Sequence, residues 1–188
     1  MMKLNPHRWA EVKPGVILVP CWRGGSTSLL TALRLKQGIA FQPASPHSNF
    51  YSPQHPDFSI HLRSVPMDFE FVVVGREPIS RFESSRAFLK SRAFVPTADW
   101  KSFIAWATHA TDGHVVAMSR LVDRYFSDRP HRLVRIEDYS EWGPDLGLPA
   151  KLPHLHVSAE RQKLPAKLRL QVIDLYRSDF ERFNYPLP

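Results

Sequence analysis

The chain of 188 residues has one cysteine, Cys21. A single thiol excludes an internal disulfide and fits a reducing compartment. With no identifiable partner, Cys21 reads as a small buried apolar residue. No apolar run approaches membrane-spanning length, and the opening MMKLNPHRWAEVKPG lacks the apolar core of a signal peptide. A soluble, cytoplasmic protein with no membrane partner is expected. The nine histidines show no metal-ligand spacing, so no metal is expected. There is no repeat or interdomain linker, and residues 1–188 read as a single domain. At 43% hydrophobic and 23% charged residues the composition is that of a folded globule.

Two further absences narrow the partner. Nowhere does a glycine-rich turn end in the Gly-Lys-Ser/Thr of an ordinary nucleoside-triphosphate loop. The net charge of +7 asks for an anionic partner, yet Lys and Arg form no tail or run, and no helix-turn-helix, zinc-finger or RNA-binding signature is present. An anionic small molecule is at least as economical as nucleic acid.

What is present begins with GVILVPCWRGGSTSLLTALRL, residues 15–35. The β-branched run at 16–19, bounded by Gly15 and Pro20, predicts a core strand of a parallel sheet. Gly24 and Gly25 follow, then Ser26, Thr27 and Ser28, then Leu29, Leu30 and Leu33 at helical spacing. A strand feeding a helix through a glycine turn makes an anion site, because first-turn N–H groups lack internal partners and carry the positive end of the dipole. Arg23 adds a permanent cation. An ordinary turn with a serine cap has the same pattern.

A second unit repeats the design. Residues 69–74 predict a strand ending at Gly75, followed by Arg76-Glu77-Pro78 and a helix over 79–90, with Ile79, Phe82 and Leu89 on its buried side and Ser80 and Ser84 on another face. Two such units place both turns at the carboxyl edge of one sheet, where open α/β sheets bind ligands. Residues 39–59 carry Pro43, Pro46, Pro53 and Pro56 with His47 and His55, and read as a long loop covering a cleft. His61 falls in a short extended segment at 59–62. Helices are expected over 99–109, 114–126 and 165–183, a third strand over 131–136, and a Pro- and Gly-rich loop over 143–153. The fold class is therefore α/β: a single-domain, P-loop-like, three-layer fold with a mainly parallel central sheet flanked by helices.

On these turns the sequence resembles the sulfotransferase superfamily, particularly its carbohydrate-type branch. The family's first motif, near Pro-Lys-x-Gly-Ser/Thr-Thr-Ser, is similar to Arg23-Gly24-Gly25-Ser26-Thr27-Ser28. Its second, Arg-Asp-Pro with a serine eight positions after the arginine, is similar to Arg76-Glu77-Pro78 with Ser84. LVRIEDY, LPHLHVS and LYRSDFERFNY resemble three later family segments, in order. The chain departs from the pattern at Trp22, Arg23, Glu77 and His156, and it is short for the family.

The resemblance implies transfer of a sulfuryl group from 3′-phosphoadenosine 5′-phosphosulfate to a hydroxyl, with a saccharide or other small molecule as acceptor. It implies that residues 23–28 hold the 5′ end of the donor, and that Arg76 and Ser84 hold the 3′-phosphate. Arg23 is then expected to stabilise leaving-group charge. His61 is the expected base, with His47, His55, His114 or a carboxylate as rivals. Glu137 is expected to support the first turn, and His154 and Ser158 either to border the donor or to cap the last helix. A nucleotide-binding or kinase-like protein without sulfotransfer activity remains the alternative, and a basic nucleic-acid module is motivated by charge alone.

Overall fold

The computed structural model of the chain describes residues 11–20, 23, 25–36, 62–63, 65–91, 99–153 and 162–188. The three expected strands form: β2 Val16–Pro20, β3 Glu70–Gly75 and β4 His131–Arg135. They pair in parallel, Val16 opposite Glu70 through Pro20 opposite Val74, then Phe71 opposite His131 through Gly75 opposite Arg135. A short edge strand, β1 Glu11–Lys13, pairs antiparallel with β2. Its polar sequence carries no strand signal. It is held by the Gly15 turn, where φ is +76° and Gly15 N–H donates to Glu11 Oε1 at 2.9 Å. The sheet is thus mixed and mainly parallel, and its order β1-β2-β3-β4 follows the chain.

The apolar runs at 17–19 and 71–74 are fully buried, as strands covered on both faces require. Helix α1 spans Ser26–Lys36, α2 Pro78–Ser91, α3 Trp100–His109 and α4 Met118–Phe126. Phe103, Ile104 and Ala107 of α3 and Met118, Leu121 and Val122 of α4 are buried, so each helix turns an apolar stripe to the core. A four-residue helix, α5 Tyr139–Trp142, follows β4, and a 3-10 turn at Pro144–Leu146 stands in the expected loop over 143–153.

Three expected boundaries shift. Residues 62–63 are helical rather than extended. Helix α4 starts four residues late because Asp112 accepts the His114 N–H at 2.7 Å in a turn of its own. The last helix is broken into a 3-10 turn Ala166–Leu168, α6 Arg169–Leu175 and α7 Arg177–Arg182. Tyr176 leaves helical geometry at φ −115°, ψ 20°, and the break aims Asp179 at another helix. Asp179 accepts from Met118 N at 3.0 Å and Ser119 N at 2.7 Å, capping α4 from 60 residues away. Its second partner is Arg81 at 4.0 Å, which also donates to Gly113 O and Val116 O. Asp179 and Arg81 are 0% and 1% exposed, so neither charge can turn to water.

Among the described residues no helix is long and apolar enough to cross a membrane.

Candidate functional site

The first turn leaves β2 at Pro20 and enters α1 at Ser26. Arg23 takes φ +59°, a left-handed conformation rare for a residue with a Cβ, and Gly25 takes φ +82°. A Cβ on Gly25 would also stand 3.0 Å from Ile136, so glycine is required there twice over. Gly25 O accepts the Leu29 N–H at 3.0 Å, closing the first turn of α1. No acidic residue lies in that turn. Ser26 and Thr27 are half-buried, whereas Ser28 is buried.

The second turn is built differently. Glu77 folds its carboxylate onto the start of α2, accepting from Ile79 N at 3.0 Å and Ser80 N at 2.6 Å. These orphan donors therefore already have an anion. An external anion at this turn would rely on the Arg76 and Ser84 side chains instead. Gly75, just before Arg76, abuts Phe183 so closely that a Cβ would lie 2.4 Å from the ring.

The two turns meet. Arg23 donates from Nε and Nη2 to Ser84 Oγ, at 3.0 and 2.6 Å, and Arg76 Nη1 donates to the carbonyl oxygen of Arg23 at 3.1 Å. Residues far apart in sequence thus share one cradle. A serine oxygen has two lone pairs and one O–H. Because Arg23 donates to the Ser84 oxygen, Ser84 acts there as an acceptor, and its O–H can still donate to another group.

The end of β4 completes this sheet edge. Glu137 accepts the Glu77 N–H on Oε1 at 3.0 Å and the Tyr185 O–H on Oε2 at 2.7 Å. It therefore braces the second turn. Burial, and then the hydrogen bond to Glu137, raise the Tyr185 hydroxyl above its usual pKa. Arg135 pairs with Asp138 and lies over the Tyr185 ring.

A flank unforeseen in the sequence lies beside Arg23. Its guanidinium sits 5.1 Å from the Phe88 ring centroid, and His114 stacks on the same ring at 4.8 Å. His114 Nδ1 meets Asp112 Oδ1 at 2.7 Å. That hydrogen bond, followed by the one from the backbone N–H, holds the Asp112 carboxyl below its usual range against the opposing effect of burial. Phe88 stands one turn from Ser84 on α2, so its helical spacing was visible in the sequence; its meeting with residue 114 was not.

Gly24, His61, the rivals His47 and His55, Cys21, Trp22, His154, His156, Ser158 and the loop 39–59 lie outside the described residues. Among the described residues no group of three or more His, Cys, Asp or Glu side chains is arranged to hold a metal ion. Scans against protein-family models, curated proteins and solved structures find no match to this chain.

Proposed function

We propose that this protein is a sulfotransferase using 3′-phosphoadenosine 5′-phosphosulfate, with a hydroxyl acceptor of carbohydrate type, acting in the cytoplasm without a metal. The finer architecture that goes with the reading is a P-loop-like three-layer fold. One observation carries it: Arg23 of the first turn and Arg76 and Ser84 of the second form a single hydrogen-bonded cradle. A nucleotide with phosphates at both ends needs two anion subsites at one sheet edge. The residues fit that need, with the acid-free start of α1 and the Ser84 hydroxyl proton as donors.

The donor, when bound, supplies an activated sulfuryl group. The protein's share is alignment and charge. Arg76 and Ser84 fix one end, which sets the register of the other. The N–H groups at the start of α1, with Ser26 and Thr27, face the other end. Arg23 stabilises charge building on the leaving phosphate, where a preorganised cation acts best.

Calorimetry with four ligands tests this. Adenosine 3′,5′-bisphosphate should bind, and AMP should bind at least tenfold more weakly because the 3′ subsite stays empty. ATP with magnesium binding best would favour a kinase-like protein, and an oligonucleotide binding best would favour a nucleic-acid module. Either result would displace the sulfuryl-transfer reading.

A further inference from the structure

We propose that Tyr185 is a positioning residue for the 3′-phosphate subsite, acting through Glu137 on the peptide that carries Arg76; this rests on the sulfuryl-transfer reading above. Three observations carry it. First, the backbone beyond α7 sets the direction in which Tyr185 leaves. Asn184 takes φ +54°, its N–H donates to Glu181 O at 3.2 Å, and the Tyr185 N–H donates to Phe180 O at 2.8 Å. Two such bonds around one left-handed residue make a helix stop of defined geometry. Arg135 holds the same point from β4, donating to Asn184 O at 3.1 Å with its guanidinium 5.5 Å from the Tyr185 ring centroid. Tyr185 is only 8% exposed as a result.

Second, the relay is short. The Tyr185 O–H donates to Glu137 Oε2 at 2.7 Å, and Glu137 Oε1 accepts the Glu77 N–H at 3.0 Å. That N–H belongs to the peptide joining Arg76 to Glu77. The last torsion of a glutamate is soft, so a carboxylate held at one oxygen can still swing. Glu137 is held at both, and it therefore fixes the peptide from which the Arg76 side chain sets out. Third, Glu137 stands in a 3-10 turn, Ile136–Asp138, that reaches both halves of the cradle. Its neighbour Ile136 packs against Gly25 of the first turn, where a Cβ would meet it at 3.0 Å. Trp142 Nε1 donates to Arg135 O at 2.8 Å and anchors the start of this turn.

The consequence is selective. Without the Tyr185 hydroxyl, Glu137 is free to rotate and the Arg76 peptide loosens, so the grip on a 3′-phosphate weakens. The 5′ end is held elsewhere, by the start of α1, and keeps its partners. Phe183, from the same segment as Tyr185, still fills the space beside Gly75, so the end of β3 stays packed.

The test compares two nucleotides that differ only in the 3′-phosphate. By calorimetry, Y185F and E137A should each bind adenosine 3′,5′-bisphosphate about fivefold more weakly than wild type, and 5′-AMP within about twofold of it. Added to R76A, Y185F should cost no further bisphosphate affinity, because it acts through that arginine. A residue serving the fold alone would move both nucleotides together and would add to R76A. In the unmutated protein, amide exchange at Glu77 should slow when the bisphosphate saturates and stay unchanged with 5′-AMP. Equal effects on the two nucleotides, a loss that adds in full to R76A, or a Glu77 amide indifferent to the bisphosphate would overturn the assignment while leaving the sulfuryl-transfer reading standing. Should neither variant fold, the exchange measurement alone decides. Wild type that does not bind the bisphosphate would remove both.

Discussion

At Arg23 the backbone adopts φ +59°, a conformation that costs a non-glycine residue about 1–3 kcal/mol and persists where the surroundings enforce it. Here the enforcing contacts are Ser84, Phe88 and the Arg76 guanidinium on its carbonyl. Arg76→Ala should therefore loosen the first turn as well as remove a phosphate ligand, weakening bisphosphate binding about 10- to 100-fold by calorimetry, as the loss of a charged hydrogen bond would. Arg23→Ala should mainly lower turnover at saturating donor. The opposite split, with Arg23 governing affinity and Arg76 governing rate, would reverse the two roles. Gly75 offers a second residue-scale check. A Cβ there meets Phe183 at 2.4 Å, so Gly75→Ala should cost about 1–3 kcal/mol in denaturant unfolding. Phe183→Ala opens a cavity costing about 3–5 kcal/mol. The double variant should lose less than the two losses added together, because the methyl enters that cavity.

Among the elements, α2 separates what the sequence displays from what it hides. Its apolar residues Ile79, Phe82 and Leu89 read as one buried side and are buried. Ser84, placed on another face, is buried too, with Arg81, Glu83, Ser85 and Arg86. Periodicity cannot show this, because each of these residues has a partner from far along the chain. Glu83 accepts from Leu164 N, Arg86 donates to Gln162 and stacks on Trp100, and Arg81 meets Asp179. The broken C-terminal helix has the same origin, since a continuous helix is what its apolar spacing suggests. Asp179 is the sharpest case: removing its carboxylate strands the Arg81 guanidinium and uncaps α4. Asp179→Ala should cost about 3–5 kcal/mol, a large part of a typical domain's stability. A loss under about 1 kcal/mol in urea unfolding would contradict the buried-pair account.

For the whole molecule, the parallel sheet and the turns at its carboxyl edge were legible because continuous apolar runs ending in glycine or proline leave few alternatives. That Arg23, Arg76 and Ser84 share a site follows from two parallel strands delivering their turns to one edge. Asp112, Phe88 and Glu137 took their places only in three dimensions. The sheet edge also sets an alkaline limit. Burial raises the Tyr185 and Tyr176 hydroxyls above the ordinary value of 10.0, so the fold favours their protonated forms. Their contribution is complete below about pH 10 and is lost as pH rises further, when the unfolded chain ionises and the folded one does not. Tyrosinate absorbance from these two should appear together with loss of helical circular dichroism. Their smooth titration at pH 10 in a folded protein would contradict their burial.

The central claim is that two turns form one cradle for a nucleotide phosphorylated at both ends, and a structure with adenosine 3′,5′-bisphosphate bound tests it most directly. The account predicts one phosphate at the start of α1 and the other on Arg76 and Ser84, with Arg23 between them. A nucleotide held by one phosphate alone, or lying away from this sheet edge, would contradict it.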